Sequence, residues 1–387
     1  MRARIAAFIL LLFAVALLPS CGFFGPDSST SNNNGNGNGN GNGGGGGGTP
    51  PTGTGIAPRF AYVSNFSGSS ITALTVNPTT GVLTSVVGSP FSGGALGRPS
   101  AVATDPGGNT LFVADQAAGV LSFPINRNDG TLPQLGTALP FVTQLTSAAV
   151  TPNAAFLYVV DHTNSQLLSF RVGSLGTLGV LTLPVGLSAN PWQVTVANNG
   201  TLAYVANDVA GTDVFTADPN AGFLTLRATV PMLSNGPSRD VAITPNEKFA
   251  YVINGSSGIE AYSVDATTGN LTRIGTSAVG TGTNPVKIAI DPTGTFVYVA
   301  NNGSNNVSGY KINADGSLTP VPGSPFAAGN APSWVAADPS GLFLYVTNQN
   351  DNSVTVYALS NTGALTVNAT QTTDQPGAGP SSIIVTK

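Results

Sequence analysis

Residues 342–348 read Leu342-Phe343-Leu344-Tyr345-Val346-Thr347-Asn348, and the last four are the seventh copy of one short pattern. Earlier copies are Tyr62-Val63-Ser64-Asn65, Phe112-Val113-Ala114-Asp115, Tyr158-Val159-Val160-Asp161, Tyr204-Val205-Ala206-Asn207, Tyr251-Val252-Ile253-Asn254 and Tyr298-Val299-Ala300-Asn301. The steps between them are 50, 46, 46, 47, 47 and 47 residues. A fixed period of that size marks a repeat architecture, and each repeat here reads as strands alone.

One repeat carries four strand signals. In the seventh, Pro332 to Pro339 is a short strand running into a turn completed by Ser340-Gly341. Leu342 to Asn348 is the second strand, Ser353 to Leu359 the third, and Ala364 to Thr370 the fourth, after the Asn361-Thr362-Gly363 turn. Glycine supplies the positive φ such turns need, and short connections favour antiparallel neighbours. The first turn recurs as Asp105-Pro106-Gly107-Gly108, Thr151-Pro152-Asn153, Thr244-Pro245-Asn246 and Asp291-Pro292-Thr293-Gly294. The last recurs as Pro78-Thr79-Thr80-Gly81, Asn128-Asp129-Gly130, Ala266-Thr267-Thr268-Gly269 and Ala314-Asp315-Gly316. The fourth repeat is the least regular, with Ala197-Asn198-Asn199-Gly200 in place of the proline turn. The expected fold class is all-β, a seven-bladed β-propeller with four antiparallel strands per blade.

The chain ends predict how the ring closes. The first copy, Arg59 to Asn65, lacks a preceding Pro-Ser-x-Val strand, and the chain finishes with that strand, Pro380-Ser381-Ser382-Ile383-Ile384-Val385-Thr386. The C-terminal strand is therefore expected to join the first blade as its innermost strand, which leaves no open edge.

Composition narrows the function. Of 387 residues, 8% are charged and the net charge is -4, so no basic surface supports nucleic-acid binding. One Cys and one His exclude an internal disulfide, a cysteine-cluster metal site and a His-rich zinc site. No metal and no cofactor is expected. A monomer is.

Residues 1–20 read as an export leader. Arg2 and Arg4 precede an apolar run from Ile5 to Leu18, too short to span a membrane conventionally. Leu18-Pro19-Ser20-Cys21 resembles a bacterial lipobox, which implies cleavage before Cys21, its lipidation, and a lipid bilayer as partner. An ordinary secretory signal is the alternative. Multiple acyl chains would anchor stably, at ~0.8 kcal/mol per buried methylene. Residues 21–57 then form a tether: Asn32 to Gly48 is Asn and Gly throughout, with nothing apolar to bury. Its reach is on the order of 30 Å. The propeller occupies residues 58–387. The expected location is the cell envelope, as a membrane-anchored lipoprotein of the outer membrane or the periplasmic or extracellular face.

The tyrosine-valine repeats, the segments Gly88-Ser89-Pro90-Phe91 and Gly323-Ser324-Pro325-Phe326, and the Thr-Gly-x-Leu-Thr turns together resemble the lactonase-type seven-bladed propeller family over roughly residues 58 to 387. That family is similar to 6-phosphogluconolactonase. The resemblance implies a lactone hydrolase acting on a sugar-type lactone at the mouth of the central channel. It transfers no catalytic residue, because its motifs are structural. A non-catalytic, surface-anchored binding or scaffold propeller, with a glycan or protein ligand, is the alternative.

Candidate site residues come from one repeat position, the residue before the buried Val of the first strand. Around the ring it reads Ser382, Ala101, Ser147, Gln193, Asp240, Lys287 and Trp334, with Arg239 and Arg98 nearby in sequence. One reading is a polar pocket: Lys287 or an arginine holds an anionic group, Trp334 stacks on a ring, and Gln193 hydrogen-bonds. The other is an Asp240–Lys287 ion pair tying adjacent blades. Asp240, Lys287 and His162 are the candidates for catalysis, with His162 as general base or as a solvated loop residue. Gln193, Trp334, Arg239 and Arg98 are the candidates for ligand binding.

Overall fold

The computed structural model describes residue 54 and residues 59–92, 96–133, 137–140, 143–181, 184–233, 237–255, 258–373 and 378–387. The expected leader, the expected lipidation at Cys21 and the Asn/Gly run from Asn32 to Gly48 lie outside the described residues.

The repeats fold as seven antiparallel sheets, each a blade of a seven-bladed propeller. In the seventh blade the strands are Pro332–Ala337, Phe343–Asn348, Ser353–Leu359 and Leu365–Thr372, from the inside outwards. The second strand is buried along its whole length. It lies within a sheet covered on both faces, which is why it reads as nearly continuous apolar sequence and not as an alternation. The third strand is almost wholly buried for the same reason. The fourth is mostly exposed.

In the first and sixth blades the outer strand is split, into Leu83–Ser85 and Phe91–Ser92, and into Leu318–Pro320 and Phe326–Ala327. The Gly-Ser-Pro-Phe segments make the break. Ser89 and Ser324 each accept a hydrogen bond at Oγ from the third strand, at Ala73 N and Gly309 N, and the phenylalanine then returns to the ladder.

Hydrophobic cores lie between blades. There are seven clusters among the described residues, each shared by two neighbours. The cluster joining blades one and seven combines Val63 and Ile383 with Tyr345 and Val354. This seam exists because the last strand, Pro380–Val385, joins the first blade as expected and pairs antiparallel with Phe60–Asn65, Tyr62 opposite Ile384.

The tyrosine of the repeated pattern has a definite partner. Its hydroxyl donates to the carbonyl of the turn glycine in the next blade: Tyr62 to Gly130, Tyr158 to Gly222, Tyr204 to Gly269, Tyr251 to Gly316, Tyr298 to Gly363, and across the seam Tyr345 to Gly81, all at 2.8–3.1 Å. Gly316 shows why that residue is glycine. Its φ is 82°, and an added Cβ would lie 2.4 Å from the Phe249 ring of the preceding blade. The terminal Asn or Asp of the pattern is buried and structural. Asn65 and Asn348, for example, donate to hydroxyls of the third strand, at Ser70 and Thr72 and at Ser353 and Thr355.

Candidate functional site at the channel mouth

Every innermost strand breaks its ladder at one place. In the fourth blade the pairing passes from Pro191 directly to Gln193, so Trp192 is an extra residue. The same slip falls at Ser100, Thr146, Val286, Ser333 and Ser381, and in the fifth blade it spans Arg239 and Asp240. A β-bulge re-aims the side chain it carries. Here all seven bulge residues, Ser381, Ser100, Thr146, Trp192, Arg239, Val286 and Ser333, line one cavity of about 210 Å³. Gln116, Gln193, Lys287 and Trp334 complete its wall.

The site residues chosen from sequence therefore divide. Gln193, Lys287, Trp334 and Arg239 line the cavity. Asp240 sits behind it, with a side chain 1% exposed. Its Oδ2 accepts from Lys287 Nζ at 2.9 Å and from Ile288 N at 2.9 Å in the next blade, and its Oδ1 accepts from Val241 N. Burial pushes this carboxyl upward, while the Lys287 ammonium and the two amides pull it back. All three partners are donors, as a carboxylate requires. Ser382 and Ser147 make the corresponding bridge elsewhere in the ring, accepting from Val102 N and Val194 N. Asp240 is thus an inter-blade tie that also positions Lys287.

The two cations are engaged in parallel ways. Lys287 Nζ stands 4.1 Å from the Trp334 ring centre in addition to its bond to Asp240. Arg239 stands 4.5 Å from the Trp192 ring centre, and its Nε is 3.3 Å from Asp208 Oδ1. His162 packs against Trp192, ring centres 4.6 Å apart, and is not part of the cavity wall. Its Nδ1 contacts the Pro191 carbonyl at 2.9 Å. A carbonyl only accepts, so Nδ1 carries the proton and a neutral ring keeps its lone pair on Nε2.

Arg98 lies apart from these residues. It does not line the cavity; its guanidinium sits 4.6 Å from the centre of the Phe66 ring, and its backbone N–H donates to Asp115. Sequence reasoning in turn missed Thr146, Trp192, Gln116 and the bulge serines. The signal was the residue that follows Pro at the start of five innermost strands; Thr146 follows Leu145 and Arg239 follows Ser238. It was invisible to strict two-residue alternation, because the bulge shifts the phase by one. Among the described residues no group of three or more His, Cys, Asp or Glu side chains is arranged to hold a metal.

A family model described as "Lactonase, 7-bladed beta-propeller" matches residues 56–146 and 146–335. This chain belongs to that lactonase family. Among solved structures, a Bacteroides uniformis protein named as a candidate 6-phosphogluconolactonase superposes on this lactonase-family propeller with a TM-score of 0.75 at 19% identity, covering 85% of this chain and 100% of that one. A periplasmic gluconolactonase of Pseudomonas aeruginosa gives 0.71 at 19% identity, covering 85% and 99%. A protein from Lactobacillus plantarum gives 0.72 at 19% identity, covering 86% and 100%. At these identities the likeness is one of fold. The comparison with curated proteins gave no match.

Proposed function

We propose that this lactonase-family propeller hydrolyses a sugar-type lactone in the channel-mouth cavity. The observation that carries the reading is Lys287, a cation fixed on the cavity wall by buried Asp240 and backed by Trp334. One ammonium N–H is held by Asp240, and the others are free to meet a lactone carbonyl. A fixed N–H donor there hydrogen-bonds the oxyanion that forms as water adds to the carbonyl carbon. The tetrahedral intermediate then collapses: the ring C–O bond breaks, the ring oxygen leaves as a hydroxyl after taking a proton, and the product is a carboxylate. Among the described residues no base lines the cavity wall, so one proton of the attacking water passes to the departing ring oxygen and the other to solvent; His162 lies outside the wall, against Trp192. Asp240 holds Lys287 and does not touch substrate.

Hydrolysis of glucono-1,5-lactone, followed by pH-stat, tests this. The expected result is a rate above the spontaneous one that falls at least about 100-fold in Lys287→Met. A second reading, a binding propeller without catalysis, is favoured by one observation: the cavity wall contains no carboxylate and no imidazole. Tight lactone binding with only the spontaneous rate, across γ- and δ-lactones, would establish the second reading.

The same proposal places the activity in the cell envelope. The leader and the lipobox-like Leu18-Pro19-Ser20-Cys21 support it, as does a fold neighbour named periplasmic. Recovery of the wild type in the soluble cytosolic fraction would refute it.

A further inference from the structure

We infer that the cavity selects an uncharged, polyhydroxylated lactone over its phosphorylated counterpart; this rests on the proposed lactone site and specifies its substrate. The first reason is charge. Lys287 and Arg239 are the two cations of the cavity wall, and each already has a carboxylate partner, Asp240 at 2.9 Å and Asp208 at 3.3 Å. Each also sits over an indole ring, Trp334 and Trp192. The formal charge of the two pairs sums to zero. A phosphate dianion entering this half-enclosed site would lose hydration and meet no uncompensated positive charge.

The second reason is hydrogen-bond polarity, and it is independent of the first. Three bulge serines have committed their single hydroxyl hydrogens to backbone carbonyls of the propeller. Ser100 Oγ is placed to donate to Leu145 O and Ala114 O, Ser333 Oγ to Pro380 O at 2.7 Å, and Ser381 Oγ to Pro99 O at 2.9 Å. Each of these contacts except Ser100 to Ala114 crosses to the next blade, so the serines are set by the closure of the ring itself. With the hydrogens so directed, Ser333 Oγ accepts from Thr347 Oγ1 and Ser381 Oγ from Ser64 Oγ, both at 2.8 Å, which leaves each one further lone pair for the cavity, as Ser100 also has. Lone pairs suit the hydroxyl donors of a sugar ring and repel phosphate oxygens, which at neutral pH only accept. Two further polar atoms, Thr146 Oγ1 and Trp192 Nε1, are buried without a protein partner on residues of the cavity wall. The volume of about 210 Å³ suits a single ring.

The test is calorimetric titration of the full-length protein at pH 7. The probes are glucono-1,5-lactam, a neutral analogue that does not hydrolyse, and its 6-phosphate. The expected result is that the neutral lactam binds at least tenfold tighter, with little change between low and moderate salt. In Asp208→Asn, which leaves Arg239 unpaired, the phosphorylated lactam should gain at least fivefold and the ratio narrow. Equal or tighter binding of the phosphorylated lactam by the wild type overturns the selectivity while leaving a lactone site in place. An unchanged ratio in Asp208→Asn overturns the charge argument. No binding of either lactam overturns the site and the selectivity together.

Discussion

A phenol hydroxyl ties blade to blade at six of the seven interfaces. Tyr251 illustrates it: fully buried, with its hydroxyl 2.9 Å from Gly316 O. Burial pushes these phenols far above their ordinary value, Tyr158 to about 12, so they remain protonated donors. The remaining interface has Phe112, which shows that the ring fits without the hydroxyl. Tyr251→Phe is therefore expected to keep the fold and lose about 1–2 kcal/mol, the cost of leaving a buried carbonyl without its donor. Denaturant unfolding measures it; an unchanged midpoint would show that water replaces the phenol. The tyrosine was legible in the sequence because the pattern repeats. Its partner was not, lying 65 residues on in the next blade. The setting of Arg98 was not legible for a related reason. Its charge stood out in a chain 8% charged, but nothing in the sequence placed Phe66 beneath it.

Strands and turns followed local rules closely. The Asp-Pro turns work because one carboxylate serves several amides: Asp291 accepts from Thr293 N, Thr295 N and Phe296 N, and Thr151 and Thr244 do a similar task through Oγ1. On the outer turns, exposed Asp265 is held below its ordinary value, chiefly by the Thr268 N–H and hydroxyl, and Asp129 chiefly by the Thr131 hydroxyl. Asp218 and Asp315 are lowered similarly, led by the Asn220 N–H and the Ser317 hydroxyl. A carboxyl whose native pKa is depressed stabilises the fold fully above its unfolded value of 3.8, and loses that contribution as pH falls through the native value. Asp240 and Asp338, raised by burial, act in the opposite sense. Stability carried by the outer turns should accordingly decline as pH drops below about 4. Asp265→Asn keeps an acceptor for Thr267 N and Thr268 N but cannot titrate. Its melting temperature should match the wild type near pH 7 and fall less steeply between pH 4 and 2. An unchanged slope would remove the Asp265 turn from the acid response. The bulge is where local rules failed: alternation carried through Pro-Ser-x-Val without a phase shift assigns the cavity to the neighbouring residue.

For the whole molecule, closure decides stability. Seven cores lie between blades, and the one at the seam depends on a strand from the far end of the chain. Removing residues 380–387 deletes buried Ile383 and Val385 and uncovers the ladder edge of Phe60–Asn65. The expected loss is about 5 kcal/mol or more, and the bare edge is open to pairing with other chains. Thermal unfolding and sedimentation of the truncated protein check both, and wild-type values in the two measurements would refute the closing role.

The period near 47 residues, the turn chemistry and the two orphan strand segments were enough to specify a closed seven-bladed ring, because each is a local signal repeated many times. They also brought Gln193, Lys287, Trp334 and Arg239 into view as one ring position or its neighbour. What only the tertiary structure decided was which atoms remain free there. The Lys287–Asp240 pair was one of two readings of the ring position, and the structure chose it; the Arg239–Asp208 pair and the hydroxyl directions of Ser100, Ser333 and Ser381 depend on contacts with neighbouring blades or strands. Such contacts cross tens to hundreds of residues of sequence, and the angle of a bulge sets them. No spacing along the chain encodes that angle.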